Sequence, residues 1–140
     1  MKFKMRILHY SPAGNAEALA NSIARSQQAN ADKIPPAYPC ENEKLLFIGV
    51  ELKGSSVHKN VSDFCKDLNP NRSKNVAFFV VGGDASGVEE LKKTVTANGL
   101  AVVGDTHVCA AKGGFLKKAK ISDADVTAAV AWAGKIVDSL

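Results

Sequence analysis

Long apolar runs, paired cysteines and aromatic-studded basic stretches are all missing from this chain of 140 residues. The longest apolar runs, residues 45–50 and 76–81, are far too short to span a bilayer. Residues 1–5 lead into a basic, apolar-rich segment with no separate hydrophobic stretch or small-residue cleavage site, so no signal peptide is expected. Cys40, Cys65 and Cys109 are far apart, and none belongs to a C-x-x-C pair, which argues against a metal knuckle or a dithiol redox motif. They read as buried small hydrophobes with free thiols, which fits a reducing cytoplasm. Aromatic residues make up 6% of the chain, and apart from Lys117, Lys118 and Lys120 the basic residues are dispersed. A nucleic-acid groove wants a cationic stripe with stacking platforms, so no nucleic-acid partner is expected. The net charge of +4 is mild and biases the protein only toward acidic partners.

Several catalytic signatures are also absent. No G-x-G-x-x-G follows a strand and no G-x-x-x-x-G-K-[ST] exists, which disfavours a dinucleotide site and a triphosphatase. A phospho-receiver needs an acidic cluster at the end of the first strand, and His9-Tyr10-Ser11 offers none. Arg72 lies one position too far from Cys65 for a Cys-x5-Arg phosphatase loop. No catalytic residue and no metal site is expected.

What is present is an alternation of short apolar runs with segments of helical periodicity, the pattern of βαβ units and a parallel sheet. Strands are expected over residues 3–10, 44–50, 76–81 and 100–109, the last interrupted at Gly104. A very short strand fits residues 30–34, before Pro35 and Pro36. Helices fit residues 15–28, 57–68 and 86–98, the third closed by Asn98-Gly99, and a fourth capped by Ser122. Their inward faces carry Leu19 and Ile23, Val61 and Cys65, Leu91 and Val95, and Ala129 and Ala133. No repeat or linker interrupts this order, so one domain over residues 1–140 is expected. Five parallel strands in the order 2-1-3-4-5 would put helices one and four on one face and the middle pair on the other. In such an α/β three-layer sandwich, ligands bind beyond the carboxyl ends of the strands where the order reverses.

That rim is built from three loops. The first, Ser11-Pro12-Ala13-Gly14-Asn15-Ala16, joins a strand to a helix N-terminus and leaves several backbone N–H groups pointing outward. With the helix dipole they make an anion site that needs no basic residue; the plainer alternative is a turn that uses Gly14 for its geometry. The second loop is Glu51-Leu52-Lys53-Gly54-Ser55-Ser56 and the third begins Gly82-Gly83-Asp84. His9 and His107 lie in strands and read as structural. His58 opens a helix beside the rim, and Trp132 sits among apolar positions of the last helix as core or dimer surface.

In this first loop the sequence resembles the flavodoxin family, whose phosphate loop alternates hydroxyl residues before Gly-Asn and a further hydroxyl. Ser11, Gly14 and Asn15 are in register, while Ala13 and Ala16 replace the hydroxyl residues. Leu45-Leu46-Phe47-Ile48-Gly49 is similar to the family's third strand. Residues 76–84, ending Gly82-Gly83-Asp84, resemble its fourth strand and flavin-contacting loop. Val102-Val103-Gly104, Lys112-Gly113-Gly114-Phe115 and the final helix resemble a short-chain branch.

The resemblance implies FMN as cofactor and electron transfer to a redox partner protein. The phosphate would rest on residues 11–16, and the ring would lie between residues 51–56 and 82–87, with His58 as a candidate contact at its edge. Leu52 and Val88 would serve in place of the family's stacking aromatic, which neither loop contains. A missing stack forfeits about 1 kcal/mol, and each missing hydroxyl donor to a charged phosphate roughly 1.5–3 kcal/mol. An FMN-binding electron carrier is therefore the leading expectation, with the flavin held weakly or absent as the alternative these losses open. The alternatives are a flavin-free module using the same rim for a protein partner, or a small FMN-dependent reductase. A monomer or homodimer fits either.

Overall fold

The computed structural model describes residues 2–52, 54–110 and 121–140. Its elements run β1 (Met5–Tyr10), α1 (Asn15–Gln27), β2 (Asn30–Lys33), β3 (Glu43–Glu51), α2 (Lys59–Lys66), β4 (Ser73–Val81), a 3-10 turn (Ala85–Val88), α3 (Glu89–Ala97), β5 (Ala101–Val102), β6 (His107–Cys109) and α4 (Asp123–Ser139). The sheet order is β2-β1-β3-β4-β5, with β6 also on β4, and every pairing is parallel. This is the expected order in an α/β flavodoxin-like fold. Lys112-Gly113-Gly114-Phe115 lies outside the described residues, as does Lys53.

The near-continuous apolar runs arise because both faces of the sheet are covered. Along β3, Leu45 and Phe47 point toward α1 and α4, while Leu46, Ile48 and Val50 point toward α2 and α3. On the first face Leu19, Ala20 and Ile23 of α1 meet Ala129, Ala133 and Ile136 of α4. The other face carries Val61, Cys65, Leu91 and Val95. None of the three cysteines forms a disulfide and all are buried, and burial pushes the Cys65 thiol up to about 12, so it stays protonated and inert.

Several boundaries differ from the sequence reading: β1 begins at Met5, α2 is confined to Lys59–Lys66, and β4 begins already at Ser73. β3 begins at Glu43, whose carboxylate is buried beside Arg6 at 3.6 Å and Lys4 at 4.0 Å; hydropathy gives no sign of an ion pair inside a strand. The last strand is split as expected at Gly104, with residues 103–106 looping out where Gly104 takes a φ of +70°. A Cβ there would meet Ile136 at 2.6 Å. The third helix starts with a 3-10 turn, because the Asp84 carboxylate caps that turn through the Ser86 amide.

Trp132 belongs to the core. Its ring meets Phe47 and Phe79 edge-on, at 5.5 and 6.1 Å between centroids, and its Nε1–H donates to the Asp105 carbonyl at 2.8 Å. His107 packs on the same ring at 5.4 Å. Burial lowers the pKa of both His107 and His9, with acidic neighbours (Asp125 for His107; Glu17, Asp32 and Glu51 for His9) pulling the other way. A histidine held neutral by the fold contributes stability above its unfolded value of 6.5, and that stability is lost as the pH falls through the lower folded value. Glu43, raised by burial, acts in the opposite sense, its contribution being present below 4.5 and lost as the pH rises through its folded value. The melting temperature is therefore expected to drop as the pH is lowered just below 6.5, and the drop should be shallower in His9→Gln and His107→Gln. Thermal melts across that range check this; an unchanged slope in both variants contradicts it.

Candidate functional site

The order reversal places β1 between β2 and β3, so the loop after β1 lies beside the last residue of β3. That residue is Glu51. Helix α1 follows the N-cap residue Gly14, which takes a φ of +89° and has no side chain to cap it. The donors of the first turn therefore need an acceptor from elsewhere.

Glu51 supplies it. One carboxylate oxygen accepts the Asn15 amide at 2.9 Å, the Ala16 amide at 3.0 Å and the Ser11 hydroxyl; the other accepts the Ala13 amide at 2.8 Å. The remaining donors are also paired. The Gly14 amide donates to the Ser11 carbonyl at 3.1 Å, and the Glu17 amide to the Ser11 hydroxyl oxygen at 2.9 Å. The Ala18 amide continues the helix onto the Gly14 carbonyl. Every backbone N–H from Ala13 to Ala18 is thereby satisfied within the protein. Among the described residues no ion pair involves Glu51, whose carboxylate is met there by N–H and O–H donors at the positive end of the α1 dipole.

The expected ring slot is also filled. Leu52 packs across it: a Cβ on Gly87 would lie 2.4 Å from Leu52 Cδ1, and one on Gly83 would lie 2.9 Å from it and 3.2 Å from the Gly54 carbonyl oxygen. The second and third loops thus touch through Leu52. Val88, the other aliphatic residue expected against a ring, is fully buried on the α2/α3 face. Asp84 is turned onto its own backbone, where hydrogen bonds from the Ser86 hydroxyl and amide hold its carboxyl below the usual range. Gly82 takes a φ of +77° and donates to the Cys109 carbonyl, which ends the β4 ladder.

An opening remains on the other side of Glu51. It measures about 630 Å³ and is lined by Tyr10, Pro12, Glu51, Leu52, Ser55's neighbour Ser56, Val57, His58 and Lys59. The Tyr10 and His58 rings stack at 4.6 Å with 14° between planes. His58 Nδ1 accepts the Asn60 amide at 3.0 Å and so caps α2. The Tyr10–His58 pair escaped the sequence reading, since one residue ends a strand and the other opens a helix far along the chain. Its only signal was that the parallel order brings both to one rim.

The first loop, Glu51 and Leu52 thus lie together at one rim, with Glu51 inside the anion cradle and not beside it. A flavin phosphate placed on residues 11–16, as the sequence resemblance implies, would need those same donors. It brings a charge of about −1.5 to −2, and each unit at about 4 Å from a carboxylate is opposed by roughly 4 kcal/mol at an effective dielectric of 20. With Glu51 in the cradle and Leu52 in the slot, the residues present do not fit FMN. No cluster among the described residues offers metal ligands, and no described helix is long and apolar enough to cross a membrane.

Solved structures define the class. A flavodoxin from the domain Archaea superposes with a TM-score of 0.69 at 14% identity, covering 97% of each chain. Flavodoxin 2 from Bacillus cereus gives 0.69 at 15%, covering 98% of this chain and 99% of its own. Rubredoxin oxygen:oxidoreductase from Desulfovibrio gigas gives 0.72 at 16%, covering 97% of this chain and 35% of its own. The chain has the flavodoxin-like fold. No family model matches the sequence, and no curated protein matches it.

Proposed function

We propose that this protein is a flavodoxin-fold module that works without resident FMN, and that its carboxyl-end rim meets a protein partner of a redox system in the cytoplasm. The observation that carries this reading is the Glu51 carboxylate on four donors of the loop where a flavin phosphate would sit. Leu52 between the second and third loops supports it. The half-exposed apolar opening beside Tyr10 and His58 gives a partner something to grip. A purified preparation is expected to be colourless, and titration of the protein into FMN should leave flavin fluorescence unquenched at submillimolar concentrations. A yellow protein with stoichiometric flavin would contradict the proposal.

The second reading is an FMN-dependent electron carrier, favoured by Ser11, Gly14 and Asn15 in register with the family loop and by the flavodoxins among the structural neighbours. It requires Glu51 to leave the loop and Leu52 to leave the slot. The same titration separates the two.

A further inference from the structure

We propose that Glu51 is the specificity-determining residue of this rim. It supplies from within the chain the anion that the loop demands, and its removal turns the loop into a binding site for a free or esterified phosphate. The inference rests on the flavin-free reading and names its cause.

Three observations meet at this residue. The loop geometry is that of an anion receptor, with the Ala13, Asn15 and Ala16 amides and the Ser11 hydroxyl converging on one carboxylate. All four groups donate to this carboxylate, so an anion with several acceptor oxygens matches them, and a carboxylate and the unprotonated oxygens of a phosphate share that property. The carboxylate comes from the end of β3, and the loop does not supply it. Shortening this one side chain would leave the loop backbone and helix α1 in place, because the turn is also held by the bonds from Gly14 to Ser11 and from Ala18 to Gly14. The donors would then face the space the carboxylate leaves, next to the opening that Glu51 lines together with Pro12 and Ser56.

The test uses the full-length protein and its Glu51→Ala and Glu51→Ser variants, with inorganic phosphate as the probe and chloride at matched ionic strength as the control. Melting temperature is followed as phosphate is raised, and any binding of FMN is followed by fluorescence. The expected result is that phosphate stabilises both variants in a saturable way, with an affinity at least tenfold tighter than for the unaltered protein, and that chloride does not. Folded variants that show no phosphate-dependent stabilisation overturn the inference, as does an unaltered protein that binds phosphate as tightly as they do. If neither variant folds in phosphate-free buffer, refolding in phosphate should recover it, and failure to do so also overturns the inference. Tight FMN binding by the unaltered protein would overturn the flavin-free reading itself. Variants that gain nothing while the unaltered protein stays flavin-free would remove only Glu51 as the cause.

Discussion

Alanine at Gly49 is expected to cost about 1–3 kcal/mol or more of folding stability, although it adds a single methyl group to a central strand. Gly49 of β3 pairs with Phe79 of β4, and the Phe79 ring lies over it. A Cβ at position 49 would fall 2.0 Å from Phe79 Cζ and 2.2 Å from Cε2. The ring has nowhere to retreat, because its far side meets Trp132, which also packs on Phe47. Relief must come from a shift of α4 or from an off-rotamer Phe79. Adding Phe79→Leu to Gly49→Ala should recover part of the loss, so the pair should be less destabilised than the sum of the single variants. Urea melts of the four proteins check this. Strict additivity would mean that the contact is not the cause.

Glutamine at Glu51 is the second large effect, expected to destabilise by roughly 1.5–3 kcal/mol although it changes one oxygen to NH2. The amide has one acceptor atom where the carboxylate has two. If its oxygen keeps Asn15, Ala16 and Ser11, its NH2 must face the Ala13 N–H at the 2.8 Å now spanned by a hydrogen bond, donor against donor. The reverse orientation sets the Asn15 and Ala16 amides against the NH2, and only the Ser11 hydroxyl can turn to accept from it. The charge that complements the helix dipole is lost as well. Thermal melts should place Glu51→Gln well below the unaltered protein and no more stable than Glu51→Ala, since the alanine variant at least admits water or an anion. A glutamine variant as stable as the parent would show that the carboxylate is not held as described.

The strands and their order were legible because a doubly covered parallel sheet writes its burial directly into apolar runs; Leu45, Leu46, Phe47 and Ile48 are each fully buried, on alternating faces. The inward residues of α1 were legible for a similar reason, through their helical spacing. What escaped were features made by residues distant in sequence. Glu43 is a buried carboxyl group with Lys4 and Arg6 beside it to offset its desolvation. Residues 51–56 read as an ordinary polar loop, with Glu51 as one candidate contact among several. Its place inside the first loop follows only when β1 and β3 are set side by side and the capless Gly14 end of α1 is seen to need an acceptor. Leu52 was expected against a ring, and it instead fills the space between Gly83 and Gly87.

The most direct measurement is on the loop amides themselves. In a backbone-assigned 1H–15N spectrum of the unaltered protein, the Ala13, Asn15 and Ala16 signals report whatever anion they hold. With Glu51 in place, millimolar phosphate and submillimolar FMN should leave all three unmoved, while Glu51→Gln should shift them together. Saturable movement of those three signals in the unaltered protein on adding phosphate or FMN would contradict the account, because it would show that the loop is open to an outside anion.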